Sequence, residues 1–285
     1  MASKRPPSRI LLLLLFPIFL LSQSTSSSSQ EPGLVTYWGQ TQYGDDGDID
    51  LACILAPRIT TCQGLGVKVF LSLGGDDDSL TYSLSSAADA KQVVGDLYYN
   101  FLAGHSCSGV NLLGNVVLDG IDLHIEAGGD DRTLYWDELH YYSQYNRFYL
   151  AASPRCHIPD SYMDKAIKTG LFDYLFVKFY DDERCMYDSS AANTTTNLFR
   201  SWDEWTTSFN VTKVYLGLPA APEAAVSGGY IPMDVLNEQV IPYVSKASKY
   251  GGVTLWNRYY DYKIGYGENI TLTSLRASKV YSAVV

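Results

Sequence analysis

The chain has 285 residues, 46% of them apolar, 18% charged and 13% aromatic, which supplies a sizeable core and excludes a disordered, collagenous or coiled-coil protein. The net charge is −10, and because the first thirty residues hold Lys4, Arg5 and Arg9 and no acid, the remainder sets 18 basic residues against 31 acidic ones. So acidic a body excludes a nucleic-acid partner, whose backbone needs clustered cations.

Residues 1–30 read as a secretory leader: a basic start, the apolar stretch Ile10–Leu21, then the run Ser22–Ser29 with its small-residue cleavage sites. The apolar stretch has 12 residues, short of the roughly 18 of a membrane-spanning helix. Nothing later is long and apolar enough to anchor the chain, so the expected product is exported, with no membrane partner. Residues 31–285 carry no Gly/Ser/Pro linker and are expected to form one domain. Three acceptor triplets, starting at Asn193, Asn210 and Asn269, fit a glycosylated, secreted surface.

Strand-like runs, rich in apolar, β-branched and aromatic residues, recur at Leu34–Trp38, Val67–Leu73, Val116–Ile125, Phe148–Ala152, Tyr174–Tyr180, Val214–Leu218 and Gly252–Trp256. Helix signals lie between them. Ser86-Ala87-Ala88-Asp89 forms a capping box ahead of Val93, Val94, Leu97, Tyr98 and Phe101, Pro159 and Pro232 suit a first helical turn, and Gly170 stops the helix begun at Pro159. Alternating strands and helices over this length predict an α/β fold of the closed TIM-type (β/α)8 kind. Only seven strands are counted, because Gln40–Val67 holds an Asp-rich loop, Cys53, Pro57 and Cys62 but no apolar run. The second strand is therefore expected to be missing, and an open parallel edge would be an aggregation liability.

Five cysteines, Cys53, Cys62, Cys107, Cys156 and Cys185, all follow the leader, where pairing is the default. Cys53 and Cys62 are near enough in sequence to staple a short loop, and Cys107 is the candidate unpaired thiol. No pair has metal-ligand spacing, and no zinc or other metal is expected.

The sharpest local feature is Asp119-Gly120-Ile121-Asp122-Leu123-His124-Ile125-Glu126. Side chains alternate faces along a strand, so Asp122, His124 and Glu126 point one way and Ile121, Leu123 and Ile125 the other. An all-parallel sheet is covered on both faces, which favours a barrel-interior site over a solvated acidic edge. A glutamate at a strand end suits general-acid work, since burial and a neighbouring aspartate both raise its pKa. His124 complicates that: protonated it would lower the pKa of Glu126, neutral it would only hydrogen-bond to it. Metal ligation by the three is disfavoured, because no second cluster completes a shell. Most of the 23 tyrosines read as helix–barrel packing.

Tyr37-Trp38-Gly39-Gln40, Val67 to Gly75, the Asp119–Glu126 strand, Phe172 to Cys185, Leu216 to Pro222 and Gly251 to Trp256 together resemble the plant class III chitinases of glycoside hydrolase family 18, the hevamine-like proteins. Phe179 to Cys185 and Trp256-Asn257-Arg258-Tyr259 look most like the xylanase-inhibitor-like branch. The resemblance implies a substrate-assisted mechanism, in which a glutamate protonates the glycosidic oxygen while the substrate's N-acetyl oxygen attacks. Glu126 matches that acid, Asp122 would support it, Tyr180 would bind the acetamido carbonyl, and Trp256 and Tyr37 would form the floor and wall of the sugar cleft. Where active members carry the assisting aspartate, this chain has His124, a loss expected to cost about 100- to 1000-fold in rate. Where they carry an amide, it has Lys178, a cation able to pair with Glu126 or Asp122. Relatives place a strand and a bridged loop between the positions of Cys53 and Cys62, which here are separated by eight residues. The resemblance pairs Cys156 with Cys185 and leaves Cys53 and Cys62 to each other. It implies no cofactor and a monomer that is extracellular or vacuolar. Its partner would be a microbial xylanase or a chitin-type glycan, in a defence role, with a working endochitinase as the alternative.

Overall fold

The computed structural model describes residues 32–38, 51–75, 84, 86–103, 113–126, 147–272 and 281–284, with backbone alone over 51–55 and 281–284. The proposed leader and Cys107 lie outside the described residues.

Seven parallel strands occupy the expected apolar runs: β1 Gly33–Trp38, β2 Val69–Gly75, β3 Gly120–Ile125, β4 Tyr149–Ala152, β5 Tyr174–Lys178, β6 Lys213–Pro219 and β7 Tyr250–Trp256. Among the described residues no strand intervenes between β1 and β2; that interval holds helix α1, Leu51–Gly64. The expected gap is nevertheless filled. An eighth strand, β8 Tyr281–Val284, lies parallel between β1 and β2 and closes the barrel in the order β1-β7-β6-β5-β4-β3-β2-β8.

Alternation along the strands divides the side chains into two layers. Ile121, Leu123 and Ile125 of β3, Leu175 and Val177 of β5 and Leu216 and Leu218 of β6 point outward into the main core. Helix α2, Ala87–Leu97, covers that layer with Ala90, Val94 and Leu97, and its start is capped as the sequence predicts, the Asp89 N–H donating to Ser86 Oγ at 3.1 Å. The inward side chains form a separate cluster: Val35, Phe70, Ala151, Tyr174, Phe176 and Tyr215, with Tyr149 against it. Edge-to-face packing of Phe176 on Tyr215 (5.2 Å) and of Phe70 on Tyr174 (6.1 Å) plugs the N-terminal half of the barrel. The polar inward residues are thereby confined to the C-terminal half.

Two expectations are corrected. Cys53 and Cys62 do not staple a loop: both lie in α1, nine residues apart, and Cys62 is a free, half-buried thiol. At 1.5 Å per residue such positions stand roughly 13 Å apart along the helix, about twice the Cα separation that a disulfide spans. The helix expected from Pro159 starts later, as the single turn Asp164–Ile167. Asp160 Oδ1 accepts from the N–H groups of Tyr162 (2.9 Å) and Met163 (2.6 Å), a side-chain turn that competes with helical pairing. Gly170, at φ 73°, ends the segment as expected.

The plug is packed against bare backbone at Gly120. A Cβ there would lie 2.3 Å from the Tyr149 carbonyl oxygen and 2.5 Å from the Phe70 ring. Gly120→Ala is expected to lower stability by about 1–3 kcal/mol, read as a lower denaturant midpoint; an unchanged midpoint would refute this packing.

Candidate active site

The alternation that sends Ile121, Leu123 and Ile125 outward brings Asp122, His124 and Glu126 together inside the C-terminal half of the barrel. Asp122 is fully buried and accepts three hydroxyl hydrogen bonds. Ser72 of β2 donates to Oδ2 at 2.6 Å, Tyr37 of β1 to Oδ2 at 3.0 Å, and Ser153, just past β4, to Oδ1 at 2.7 Å. Burial pushes the Asp122 carboxyl above the ordinary range; the bond from Ser72, the charge of His124 and the other two bonds pull it back without cancelling the effect. Burial, and next the charge of Asp122, push the Tyr37 hydroxyl well above its ordinary value. Tyr37 is thus a buried prop for Asp122 and not an open wall of a cleft.

Glu126 is surrounded by nitrogen, and its side chain is only 3% exposed. Oε1 faces His124 Nε2 at 2.5 Å and the ammonium of Lys178, the last residue of β5. Oε2 takes both Nε (2.9 Å) and Nη2 (2.8 Å) of Arg155, whose side chain is 41% exposed at the barrel mouth. Arg155 itself is fixed through its backbone N–H, which donates to Asp160 Oδ2 at 2.9 Å. Lys178 therefore pairs with Glu126, the first of its two expected partners.

Aromatic rings border the pair of carboxylates. Trp256, at the end of β7 and half-buried, lies 5.3 Å from the Tyr37 ring and meets His124 edge-on at 5.7 Å. Tyr180 sits at the rim, its ring 6.0 Å from Lys178 Nζ. The rim segments that follow β4 and β5 are tied by the Cys156–Cys185 disulfide, the pairing that the resemblance implied. Among the described residues no group of three His, Cys, Asp or Glu side chains is placed to hold a metal ion. Asn193, Asn210 and Asn269 are all exposed.

Three contributors escaped the sequence reading: Ser72, Ser153 and Arg155. Strand parity was the available signal. Tyr149, Ala151, Ser153 and Arg155 continue one alternating series past the end of β4, and Phe70 and Ser72 do the same in β2.

The sequence matches the family described as Glycosyl hydrolases family 18 over residues 45–228. The chain belongs to glycosyl hydrolase family 18. An acidic endochitinase from Cicer arietinum is 38% identical over 294 residues, covering 90% of this chain and 97% of that protein. Among solved structures, the xylanase and alpha-amylase inhibitor protein XAIP-II from Scadoxus multiflorus superposes with a TM-score of 0.75 at 32% identity, covering 84% of this chain and 98% of the inhibitor. The ICChI chitinase from Ipomoea carnea does so with 0.73 at 36% identity, over 83% of this chain and 98% of the chitinase. This family 18 barrel thus resembles, to nearly the same degree, a protein named as an enzyme and one named as an inhibitor.

Because folding favours protonated Asp122, its stabilising contribution is present below the ordinary carboxylate value of about 3.9 and is lost as pH rises through the raised midpoint. From about pH 4 upward the melting temperature of the unmodified protein should therefore fall relative to that of Asp122→Asn. Paired thermal melts test this, and parallel curves would contradict it.

Proposed function

We propose that this protein is an exported family 18 barrel with impaired hydrolysis that works by binding, as an inhibitor of a microbial xylanase. The observation that carries the reading is the occupancy of Glu126. A carboxylate offers about four acceptor positions, and here His124 and Lys178 take one oxygen while Arg155 takes the other twice. A general acid must hold a proton on an oxygen turned toward the leaving group. Two cations stabilise the ionised form instead, and both oxygens are turned to nitrogen.

The residue two before Glu126 adds to the impairment. An imidazole does not supply the anionic stabilisation of an aspartate, and removing one such preorganised partner costs about 100- to 1000-fold in rate. The likeness to XAIP-II, a xylanase and alpha-amylase inhibitor, supports a protein partner. The half-buried Trp256 ring beside the two carboxylates supports a chitin-type glycan as a second ligand. Export rests on the proposed leader and on the exposure of Asn193, Asn210 and Asn269, which makes all three available for glycosylation.

The deciding assay is hydrolysis of a chitin oligosaccharide by the purified protein, with Glu126→Gln as control. The unmodified protein should turn over at least about 100-fold more slowly than an acidic endochitinase, with a gain in His124→Asp and a larger one when Lys178→Gln is added. Ordinary endochitinase rates that vanish in Glu126→Gln would establish a working enzyme and overturn the proposal.

A further inference from the structure

Outside the Glu126 group, the rim carries a second set of polar side chains that the proposed function leaves unused. The segment that follows β4 brings His157 and Ser161 together, and the segment that follows β5 adds Asp182. His157 Nδ1 lies 2.7 Å from Asp182 Oδ2, and Ser161 Oγ lies 3.5 Å from His157 Nε2. Access to solvent grows along the series: the Asp182 side chain is 5% exposed, that of His157 is 16% exposed, and Ser161 stands open. A buried acid, an imidazole and an open hydroxyl, joined through the two ring nitrogens in that order, stand in the relation of orienting acid, general base and nucleophile.

Covalent and hydrogen-bonded ties hold the three in place. The Cys156–Cys185 disulfide joins the two segments one residue before His157 and three after Asp182. Asp160 fixes the turn that carries Ser161, accepting from the N–H groups of Arg155, Tyr162 and Met163. Burial pulls the Asp182 carboxyl upward, but the bonds from Arg184 and then His157 outweigh it and hold the group below the ordinary carboxylate range. An ionised Asp182 keeps the imidazole proton on Nδ1, which leaves the Nε2 lone pair facing Ser161. Arg184 Nη2 also stands 3.0 Å from Nδ1, but with that proton in place Nδ1 has no pair to offer, so Arg184 donates to Asp182, through Nε at 2.8 Å and Nη2 at 2.6 Å. His157 lines a cavity of about 480 Å³ together with Pro159, Arg184 and Arg200. It has room for a small acyl group, and its two guanidiniums supply the positive charge that a tetrahedral oxyanion calls for.

We propose that Ser161, His157 and Asp182 form an ester-hydrolysing site separate from Glu126, with small carboxylic esters as substrates. Ser161 Oγ adds to the ester carbonyl carbon as its proton passes to His157 Nε2. The tetrahedral adduct then collapses: the bond to the alkoxy oxygen breaks, and that oxygen takes the proton from Nε2 and leaves as the alcohol. Water adds to the acyl carbon and gives a proton to Nε2, after which the Oγ–acyl bond breaks, Oγ recovers the proton, and the carboxylic acid departs. Asp182 touches no substrate and is a positioning residue, holding Nε2 in its acceptor form.

Release of 4-nitrophenolate from 4-nitrophenyl acetate by the purified full chain tests this, together with trapping by diisopropyl fluorophosphate read as the mass of the peptide that contains Ser161. A burst of about one equivalent per protein and an adduct on Ser161 are expected. Ser161→Ala removes an exposed hydroxyl, so it should melt like the unmodified chain while losing the burst and at least about 100-fold in rate. Asp182→Asn should lower kcat at least about 100-fold with KM unchanged, because the imidazole then loses its orientation and not the substrate its cavity. Trapping that fails to reach Ser161, or ester hydrolysis undiminished in Ser161→Ala, overturns the proposal. A folded Asp182→Asn protein with undiminished kcat overturns it as well. If Asp182→Asn does not fold, the Ser161 adduct and the Ser161→Ala rates decide.

Discussion

Two carboxylates buried on the same inward face, Asp122 in β3 and Glu126 just past its end, form the constraint around which the upper half of the molecule is arranged. Removing a carboxylate from water is tolerated only with compensating partners, and each acid has a different set. Asp122 is met by three neutral hydroxyls, from β1, from β2 and from the residue just past β4, which leaves burial dominant and its carboxyl raised. Glu126 is met by cations, which favours the charged form. Inward positions of β1, β2 and β5, and of the segment just past β4, that could have carried more of the apolar plug are therefore given to Tyr37, Ser72, Lys178, Ser153 and Arg155.

Exchanging an aspartate for His124 changes more than one contact. With aspartate there, Asp122, residue 124 and Glu126 would place three acids in succession on one inward face. With histidine, two acids face an imidazole, a lysine and a guanidinium, and the local charge is close to balanced. A balanced, mutually bonded group is self-sufficient. Within it both oxygens of Glu126 are engaged by nitrogen.

How much of this was legible in the sequence depended on how local each signal is. The period-two pattern of β3 identified Asp122, His124 and Glu126 as neighbours, because alternation is a property of the strand alone. The capping box at Ser86 was equally local. Arg155 was hidden because the apolar run of β4 stops before Ser153-Pro154, although the inward series continues to the guanidinium. Sequence proximity misled at Cys53 and Cys62, since proximity along a helix means separation in space. It misled again at Pro159, where the Asp160 side chain captured the N–H groups that a helix would have used. β8 was the least visible element: four residues with no long apolar run become a strand only because two distant strands leave room for them.

The pairing of Tyr37 with Ser282 joins strands from opposite ends of the folded domain, and it fixes when the molecule can be completed. A ribosome adds roughly 5–20 residues per second, so β1 waits on the order of 10–50 s between its own emergence and that of the strand beside it. Throughout that interval the nascent chain can build its helices and pair β2 through β7, but its cylinder stays split along one seam. Completion waits for residues 281–284, and until they emerge the open seam is what a chaperone would encounter.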